Sequence, residues 1–185
     1  HVNLTVYITG VSRALTLESN RHRQLAVSPR STRYAAEESS AIVLEPYYAK
    51  LWEKYPMKFD LISDSWIFID NNEHTPTSFL ETEVLSEFVN SNHKSIEYYC
   101  SQVESLIKLN PLNLTGFDLR KWARGKARNI LPHSLESRLV YTGNMRAWRW
   151  IISARSSKHA EPEIRRLADI LLIELRKEAP LYFED

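Results

Sequence analysis

Residues 21–34, RHRQLAVSPRSTRY, hold a high density of cationic and hydrogen-bonding side chains. The stretch contains four arginines, one histidine, three serine or threonine hydroxyls and one proline, with no glycine. A planar guanidinium can hold a phosphate through two parallel hydrogen bonds, and hydroxyl groups can add donors. The segment therefore predicts a phosphate site, although a solvated helix end and basic loop fits these residues alone equally well.

A second group of arginines and aromatic residues lies in GNMRAWRWIISARSSKHAEPEIRR, residues 143–166. At helical spacing, four of its residues share one face and Arg146 and Trp150 share another. The four are Asn144, Trp148, Ile151 and Arg155. Such a helix can hold a planar ring system with a charged tail. Taken alone, however, the pattern favours a core helix whose arginines extend to solvent.

Composition restricts the remaining chemistry. A net charge of +1 over 185 residues gives no general attraction for nucleic acid, so a helical nucleic-acid-binding protein is the least favoured hypothesis. The single cysteine, Cys100, excludes an intrachain disulfide, and the six histidines show no paired metal-ligand spacing. The four glycines stand apart, without a phosphate-loop or dinucleotide motif. No apolar run approaches the roughly 18 residues of a membrane span. We therefore expect a cytoplasmic, reduced, metal-free protein that binds neither nucleic acid nor membrane.

Short-range patterns predict the elements that position these groups. Alternating apolar residues from Val2 to Ile8 predict a strand ended by Gly10, and a helix follows over about 11–23 with Ser12 as N-cap. Pro29 predicts a loop over 27–34. The chain begins within the first strand without a Met, so we interpret it as lacking its natural N-terminus.

The later part of the chain is predicted to be mostly helical. Residues 41–56 are compatible with a strand and a short helix, and residues 64–76 with a buried strand and a turn. Ser78 and Glu81 predict a capping box for a helix that runs to about Leu109. Further helices are expected over 118–131, 145–157 and 161–179, with a strand over 137–144. Cys100 is expected to be inert core, and His93 and His159 to be isolated surface or satisfied histidines. Together the elements predict one α+β domain over residues 1–185, an antiparallel sheet packed with long helices.

The first basic stretch also resembles the signature of the flavin-dependent thymidylate synthases. That signature is Arg-His-Arg, seven residues, a Ser and then Arg-Tyr two positions later, and Arg21 to Tyr34 satisfies it. The C-terminal segment ARNILPHSLESRLVYTGNMRAWRWIISARSSKHAEPEIRRLA is similar to a second motif of the family, in the expected order. The match is weak over residues 35–110. The sequence is identified as a divergent member of this family.

The resemblance implies an activity and its co-substrates. Members methylate dUMP reductively to dTMP, with methylenetetrahydrofolate as the one-carbon donor and NADPH as the reductant of bound FAD. No protein nucleophile attacks the pyrimidine. The family assembles as homotetramers whose active sites lie between subunits.

The resemblance also implies roles for individual residues. Arg155 would be catalytic, because a permanently protonated guanidinium beside the uracil ring stabilises its ionised form. The implied FAD contacts are Arg21, His22, Arg23, Asn144, Met145, Arg146 and Trp150. The implied dUMP contacts are Glu18, Ser19, Asn20, Arg21, Pro29, Arg30, Ser31, Thr32, Arg33, Arg128 and Arg155.

Several positions depart from the usual family pattern. Pro29 replaces a Gln or Glu, Leu17 replaces a common His, and Trp150 replaces a common His or Phe. Ser19 and Asn20 replace an apolar pair, and Ala26 replaces a common Ser. These departures motivate an alternative hypothesis, a paralogue that binds FAD or nucleotide with weak or lost synthase activity.

Overall fold

The structure is a computed structural model that describes residues 2–37, 40–69 and 79–184. Within these residues the chain forms six α-helices, two short 3-10 helices and two antiparallel sheets. In chain order the elements are β1 (Asn3–Ser12), α1 (Arg13–Ser19), β2 (Ala26–Pro29), α2 (Pro46–Lys54), β3 (Met57–Asp60), β4 (Ser65–Phe68), α3 (Phe79–Leu109), α4 (Gly116–Ala127), β5 (Glu136–Asn144), α5 (Met145–Arg155) and α6 (Pro162–Glu178), with 3-10 turns at Arg128–Ile130 and Pro180–Tyr182. The predicted α+β class and its antiparallel sheet are confirmed.

These elements form two compact units. The first unit comprises the described residues up to Arg30 and from Glu136 onward. Its sheet has the order β1-β5-β2, so β5 pairs antiparallel with both neighbours. The buried residues of α5 and α6 complete its core, in which Trp148 is fully buried and donates through Nε1 to the carbonyl of Leu4 at 3.3 Å. Ser12 ties α6 to β1 by donating its backbone N–H and its hydroxyl to the Glu163 carboxylate at 2.7 and 2.5 Å.

The first strand does not end at Gly10 as its sequence predicts. Gly10 has a φ of +70° and lies in an irregularity of the β1–β5 register between Ile8 and Val11, after which pairing resumes to Ser12. A glycine in the left-handed region is typical of a bulge, which lets the strand continue. The predicted N-cap is confirmed, because Ser12 Oγ accepts from Leu15 N at 3.0 Å.

The predicted loop over 27–34 and the predicted extent of α1 are both wrong in part. The helix ends at Ser19, and successive turns carry the chain inward so that His22 and Leu25 become buried. Residues 26–29 then form β2, whose Pro29 lies opposite Leu139 of β5. Proline is tolerated there because β2 is an edge strand of this sheet, where one row of backbone N–H groups needs no partner.

The second unit comprises the described residues from Ser31 to Leu135. The hairpin β3–β4 and helix α2 pack on the N-terminal half of α3, around the fully buried Leu85. The C-terminal half of α3 packs with α4 around a second apolar cluster, in which Cys100 is partly buried. The long helix to Leu109 is confirmed, whereas Ser78 of the predicted capping box lies outside the described residues.

Other predictions for the second unit need correction. The strand considered near residue 42 is a single bridge between Ile42 and Leu135. β4 is half-buried rather than buried, because a two-stranded hairpin is covered on one face only. His93 is not isolated, since the side chains of Asp64 and Glu97 lie beside it. Along the parts of the chain that the structure describes, every helix is too short or too polar to cross a membrane.

Candidate active site

Arg155, the last residue of α5, is the centre of a polar cluster in the first unit. Its Nε donates to His22 Nε2 at 3.0 Å, and its Nη1 donates to Glu18 Oε1 at 2.6 Å. The side chains of Arg155 and Glu18 are only 20% and 24% exposed, so solvent screens this ion pair less than one on the surface. Two helix ends and a turn therefore hold one guanidinium in a fixed orientation.

His22 is neutral in this arrangement. Burial lowers the pKa of His22, and the charge of Arg155 lowers it further. A neutral imidazole has one nitrogen that accepts, and Nε2 takes that role toward Arg155, which leaves the proton on Nδ1. The histidine thus positions the arginine and adds no charge of its own.

Tyr141 of β5 lies behind this cluster and is absent from the predicted site residues. Burial raises the pKa of its hydroxyl, while Ser19 and Arg155 act in the opposite direction. The phenol therefore stays protonated at neutral pH. The alternation of β5 carries the signal that places Tyr141 on the inner face, since Leu139, Tyr141 and Gly143 are all buried.

The two predicted faces of α5 differ in burial. Trp148 and Ile151 are buried, which confirms the core interpretation for that face. Trp150 lies on the other side, 51% exposed, with its ring edge-on to His22 at a centroid distance of 5.9 Å. Arg146 is exposed on the same side of the helix.

Arg21 and Arg23 are exposed, in the turns between α1 and β2. Over residues 2–37, 40–69 and 79–184, no ion pair or hydrogen bond occupies the guanidinium groups of Arg21, Arg23 or Arg146. Arg21 and Arg23 are the sequence neighbours of His22, whose ring meets Trp150, and Arg146 lies one helical turn before Trp150. This arrangement suits a planar ligand that carries phosphate groups.

Three further predicted site residues have side chains that are buried or used within the protein. Asn144 is the N-cap of α5, with Oδ1 accepting from Ala147 N at 2.9 Å, and Met145 is 8% exposed. Ser19 is fully buried and donates its hydroxyl to Leu15 O at 2.7 Å. At the start of α5 the groups open to a ligand are therefore backbone N–H groups, which lack intrahelical partners.

The other predicted positions of the first unit lie along its edge. Asn20 is the exposed C-cap of α1, and Pro29 is exposed in β2. The backbone N–H of Arg30 donates to Arg138 O at 2.7 Å, which extends the pairing of β2 with β5. Pro29 thus has a structural place in the edge strand, where its missing donor costs nothing.

The remaining predicted residues belong to the second unit, and two of them, Arg33 and Arg128, lie at the C-terminal half of α4. Ser31 to Tyr34 form a turn, and the Arg33 side chain lies 3.5 Å from the position a Cβ on Gly125 would take. Arg128 is exposed one turn beyond Gly125. Tyr34 stacks on Phe117 of α4 with ring centroids 6.1 Å apart. This unit therefore brings Arg33 and Arg128 to neighbouring positions of one helix end.

Comparisons with known proteins show the family of the chain. The family model of thymidylate synthase complementing proteins matches residues 1–181. The chain is 35% identical to a protein of Mycobacteroides abscessus, 34% to one of Mycolicibacterium vanbaalenii and 32% to one of Mycobacterium tuberculosis, each named a flavin-dependent thymidylate synthase. Each alignment covers 100% of this chain and 62% of the relative, so the chain spans less than two thirds of their length. The chain belongs to the thymidylate synthase complementing protein family.

Proposed function

We propose that the protein is a flavin-dependent thymidylate synthase that methylates dUMP to dTMP, with methylenetetrahydrofolate as one-carbon donor and NADPH as reductant. The observation that carries the proposal is the partly buried Arg155, which is held by Glu18 and by His22, and the His22 ring in turn lies edge-on to the exposed ring of Trp150. The names of the relatives support the same activity.

The residues around Trp150 fit a flavin nucleotide. A half-exposed indole offers a surface for a planar ring, and Arg21, Arg23 and Arg146 offer guanidinium groups that no described residue occupies to a diphosphate. The N-terminal backbone N–H groups of α5 add donors for an anion. The carbon of methylenetetrahydrofolate is two electrons short of a methyl group, and a bound flavin supplies them as hydride.

Arg155 acts on the pyrimidine in this proposal. Its guanidinium remains protonated, so it does not carry protons to or from the ring. It instead stabilises negative charge that develops on the uracil when the ring is activated. Glu18 and His22 already fix its orientation, which removes the cost of ordering a long side chain during the reaction.

The phosphate of dUMP requires a second set of cations. Arg33 and Arg128 at the end of α4, with the hydroxyls of Ser31 and Thr32, provide the donor types that a phosphate monoester takes. Within the first unit taken by itself, the proposed dUMP contacts are Arg21, Arg30 and the exposed Asn20 and Pro29. Glu18 is proposed to accept from the nucleotide with the oxygen that Arg155 does not use.

Substitution of Arg155 tests the proposed function. Arg155→Ala should lower dTMP formation by on the order of 100-fold while FAD stays bound, since the flavin contacts lie elsewhere on α5. Arg155→Lys should restore only part of the rate, because an ammonium cannot reproduce a planar two-donor contact. The matched control is Arg149→Ala on the same helix, whose Nη1 donates to Tyr182 O at 3.1 Å.

The measurements are flavin absorbance and dUMP-dependent tritium release. Near wild-type turnover of Arg155→Ala with full flavin occupancy would remove the catalytic assignment. A wild-type protein that retains flavin and releases no tritium would instead support the paralogue without synthase activity.

We propose further that the protein works in the cytoplasm as a homotetramer. Ile170 and Ile173 are 48% and 55% exposed on α6, which is compatible with a covered face in an assembly. Light scattering at micromolar concentration with FAD present should give four times the chain mass, and a monomer would contradict this assembly.

A further inference from the structure

Three metal-ligating side chains meet in the second unit, remote in sequence from the predicted site residues. Asp64 lies in the turn between β3 and β4, and His93 and Glu97 lie one helical turn apart on α3. One ligand atom of each lies within 4.8 Å of the others. The notable feature is the mixture of one imidazole with two carboxylates, a donor set that suits transition metals.

The hairpin is held firmly against α3 near these residues. Asn90 Oδ1 accepts from Trp66 N at 2.7 Å, and Asn90 Nδ2 donates to Trp66 O at 3.0 Å. The ring of Phe59 packs on His93 with centroids 4.7 Å apart. The position of Asp64 relative to α3 therefore does not depend on an exposed loop alone.

The turn that carries Asp64 is also fixed from within. Asp60 Oδ2 accepts from Ser63 N at 2.9 Å and from Ser63 Oγ at 2.6 Å. These hydrogen bonds hold the pKa of the Asp60 carboxyl below its usual value. Asp60 thus fixes the turn, whereas the carboxylate of Asp64 lies beside His93 and Glu97.

His93 Nε2 is the least satisfied atom of the cluster. It is almost completely buried, and it makes no hydrogen bond within residues 2–37, 40–69 and 79–184. The nearest carboxylate oxygen, Glu97 Oε1, lies 3.4 Å away. Ligands about 2.0–2.1 Å from a tetrahedral Zn²⁺ are separated by about 3.4 Å, so this pair already has the spacing of two zinc ligands.

We propose that Asp64, His93 and Glu97 bind one Zn²⁺, with water at the fourth position. The ion supplies the positive charge that two neighbouring carboxylates and an imidazole lone pair require. It joins the β3–β4 turn to α3 and so stabilises the second unit. Because imidazole favours zinc over hard cations, Mg²⁺ is not expected to compete.

Calorimetric titration of the tag-free, EDTA-treated and dialysed chain with Zn²⁺ tests the site. The expected result is one Zn²⁺ per chain with micromolar or tighter affinity, and no comparable binding of Mg²⁺. His93→Ala and Glu97→Gln should each weaken binding by at least on the order of 100-fold, because loss of a ligand exceeds the loss of a supporting group. Asp64→Asn, on the turn, should weaken it in the same direction.

Matched controls separate the site from general surface binding. Glu104→Gln changes an exposed glutamate two turns further along α3, and His133→Ala removes an exposed histidine of the same unit. Both should bind Zn²⁺ like the unchanged chain. Circular dichroism of the metal-free variants checks their fold, and Glu97→Gln preserves side-chain shape if His93→Ala unfolds. Absence of Zn²⁺ binding, equal binding by Glu97→Gln, or equal binding of Mg²⁺ would each overturn the proposal.

Discussion

A histidine stands beside acidic groups in both units, but the two clusters differ in what completes them. In the first unit His22 Nε2 accepts from Arg155, and Arg155 also pairs with Glu18. In the second unit His93 Nε2 has only Glu97 Oε1 at 3.4 Å and makes no hydrogen bond to the described residues. The first cluster contains its own cation, whereas no described arginine or lysine pairs with the carboxylates of the second.

This difference suggests different roles for the two clusters: the first positions a side chain, and the second is proposed to bind an ion. Buried polar atoms are normally satisfied, so the satisfied His22 Nε2 fixes its partners, whereas the unsatisfied His93 Nε2 indicates a missing partner. His22 and Glu18 fix a guanidinium that is proposed to act on a nucleotide. His93, Asp64 and Glu97 instead present lone pairs to a cation from outside.

The largest expected effect concerns the attachment of the hairpin that carries Asp64. Asn90→Ala leaves the backbone N–H and carbonyl of Trp66 without their partners, and it should lower the free energy of unfolding by about 2–3 kcal/mol. Zn²⁺ affinity should fall with it, because Asp64 loses its fixed position. Asn144→Ala, which removes an N-cap of the first unit, should cost about 1 kcal/mol and leave Zn²⁺ affinity unchanged. Urea unfolding and calorimetry measure both, and equal Zn²⁺ affinities in the two variants would contradict the role of Asn90.

A smaller effect on stability is expected when one glutamate of each cluster is replaced by alanine. Glu18→Ala leaves the partly buried Arg155 without its carboxylate, and it should cost about 1–2 kcal/mol of unfolding free energy, between the values for exposed and buried pairs. Glu97→Ala in the metal-free chain should change stability by less than about 0.5 kcal/mol, because no arginine depends on it. Urea unfolding with EDTA present measures both. Equal losses would show that the two clusters are alike.

The smallest effect is a pH dependence carried by His22. Its pKa in the folded chain is lowered by burial and by Arg155, so below about pH 6.5 the unfolded chain binds more protons than the folded one. Stability should therefore fall as the pH drops through the unfolded value, and the loss is complete below the folded pKa. His22→Asn should flatten this slope in urea unfolding between about pH 7.5 and 5.5, whereas the exposed control His133→Asn should keep it. An unchanged slope in His22→Asn would show that another group carries the pH dependence of stability.

Much of the local structure can be predicted from the sequence because its causes act over a few residues. Ser12 caps α1 through an atom three residues away, and Pro162 begins α6 in a position where its missing N–H costs nothing. The apolar stripe of α3 repeats at helical spacing to Leu109. Family membership is also visible in two ordered motifs, and the match over residues 1–181 agrees with it.

The structure differs from the sequence-based prediction where distant segments pair. Residues 26–29 carry a proline that favours a loop, yet pairing with β5 makes them a strand because an edge position tolerates the missing donor. Gly10 interrupts the local pattern without ending β1, since the bulge lets β5 continue alongside. In both cases hydrogen bonds to a strand more than 100 residues away outweigh the local conformational preference.

By itself the sequence determined the residue types of both clusters, the i, i+4 spacing of His93 and Glu97, and the helix that ends at Arg155. Only the tertiary structure decided which groups meet. Arg155 reaches His22 across 133 residues and Glu18 across 137, and Asp64 reaches α3 through a hairpin held by Asn90. Helical periodicity fixes neighbours within four residues, whereas a contact between distant residues depends on the path of the whole chain between them.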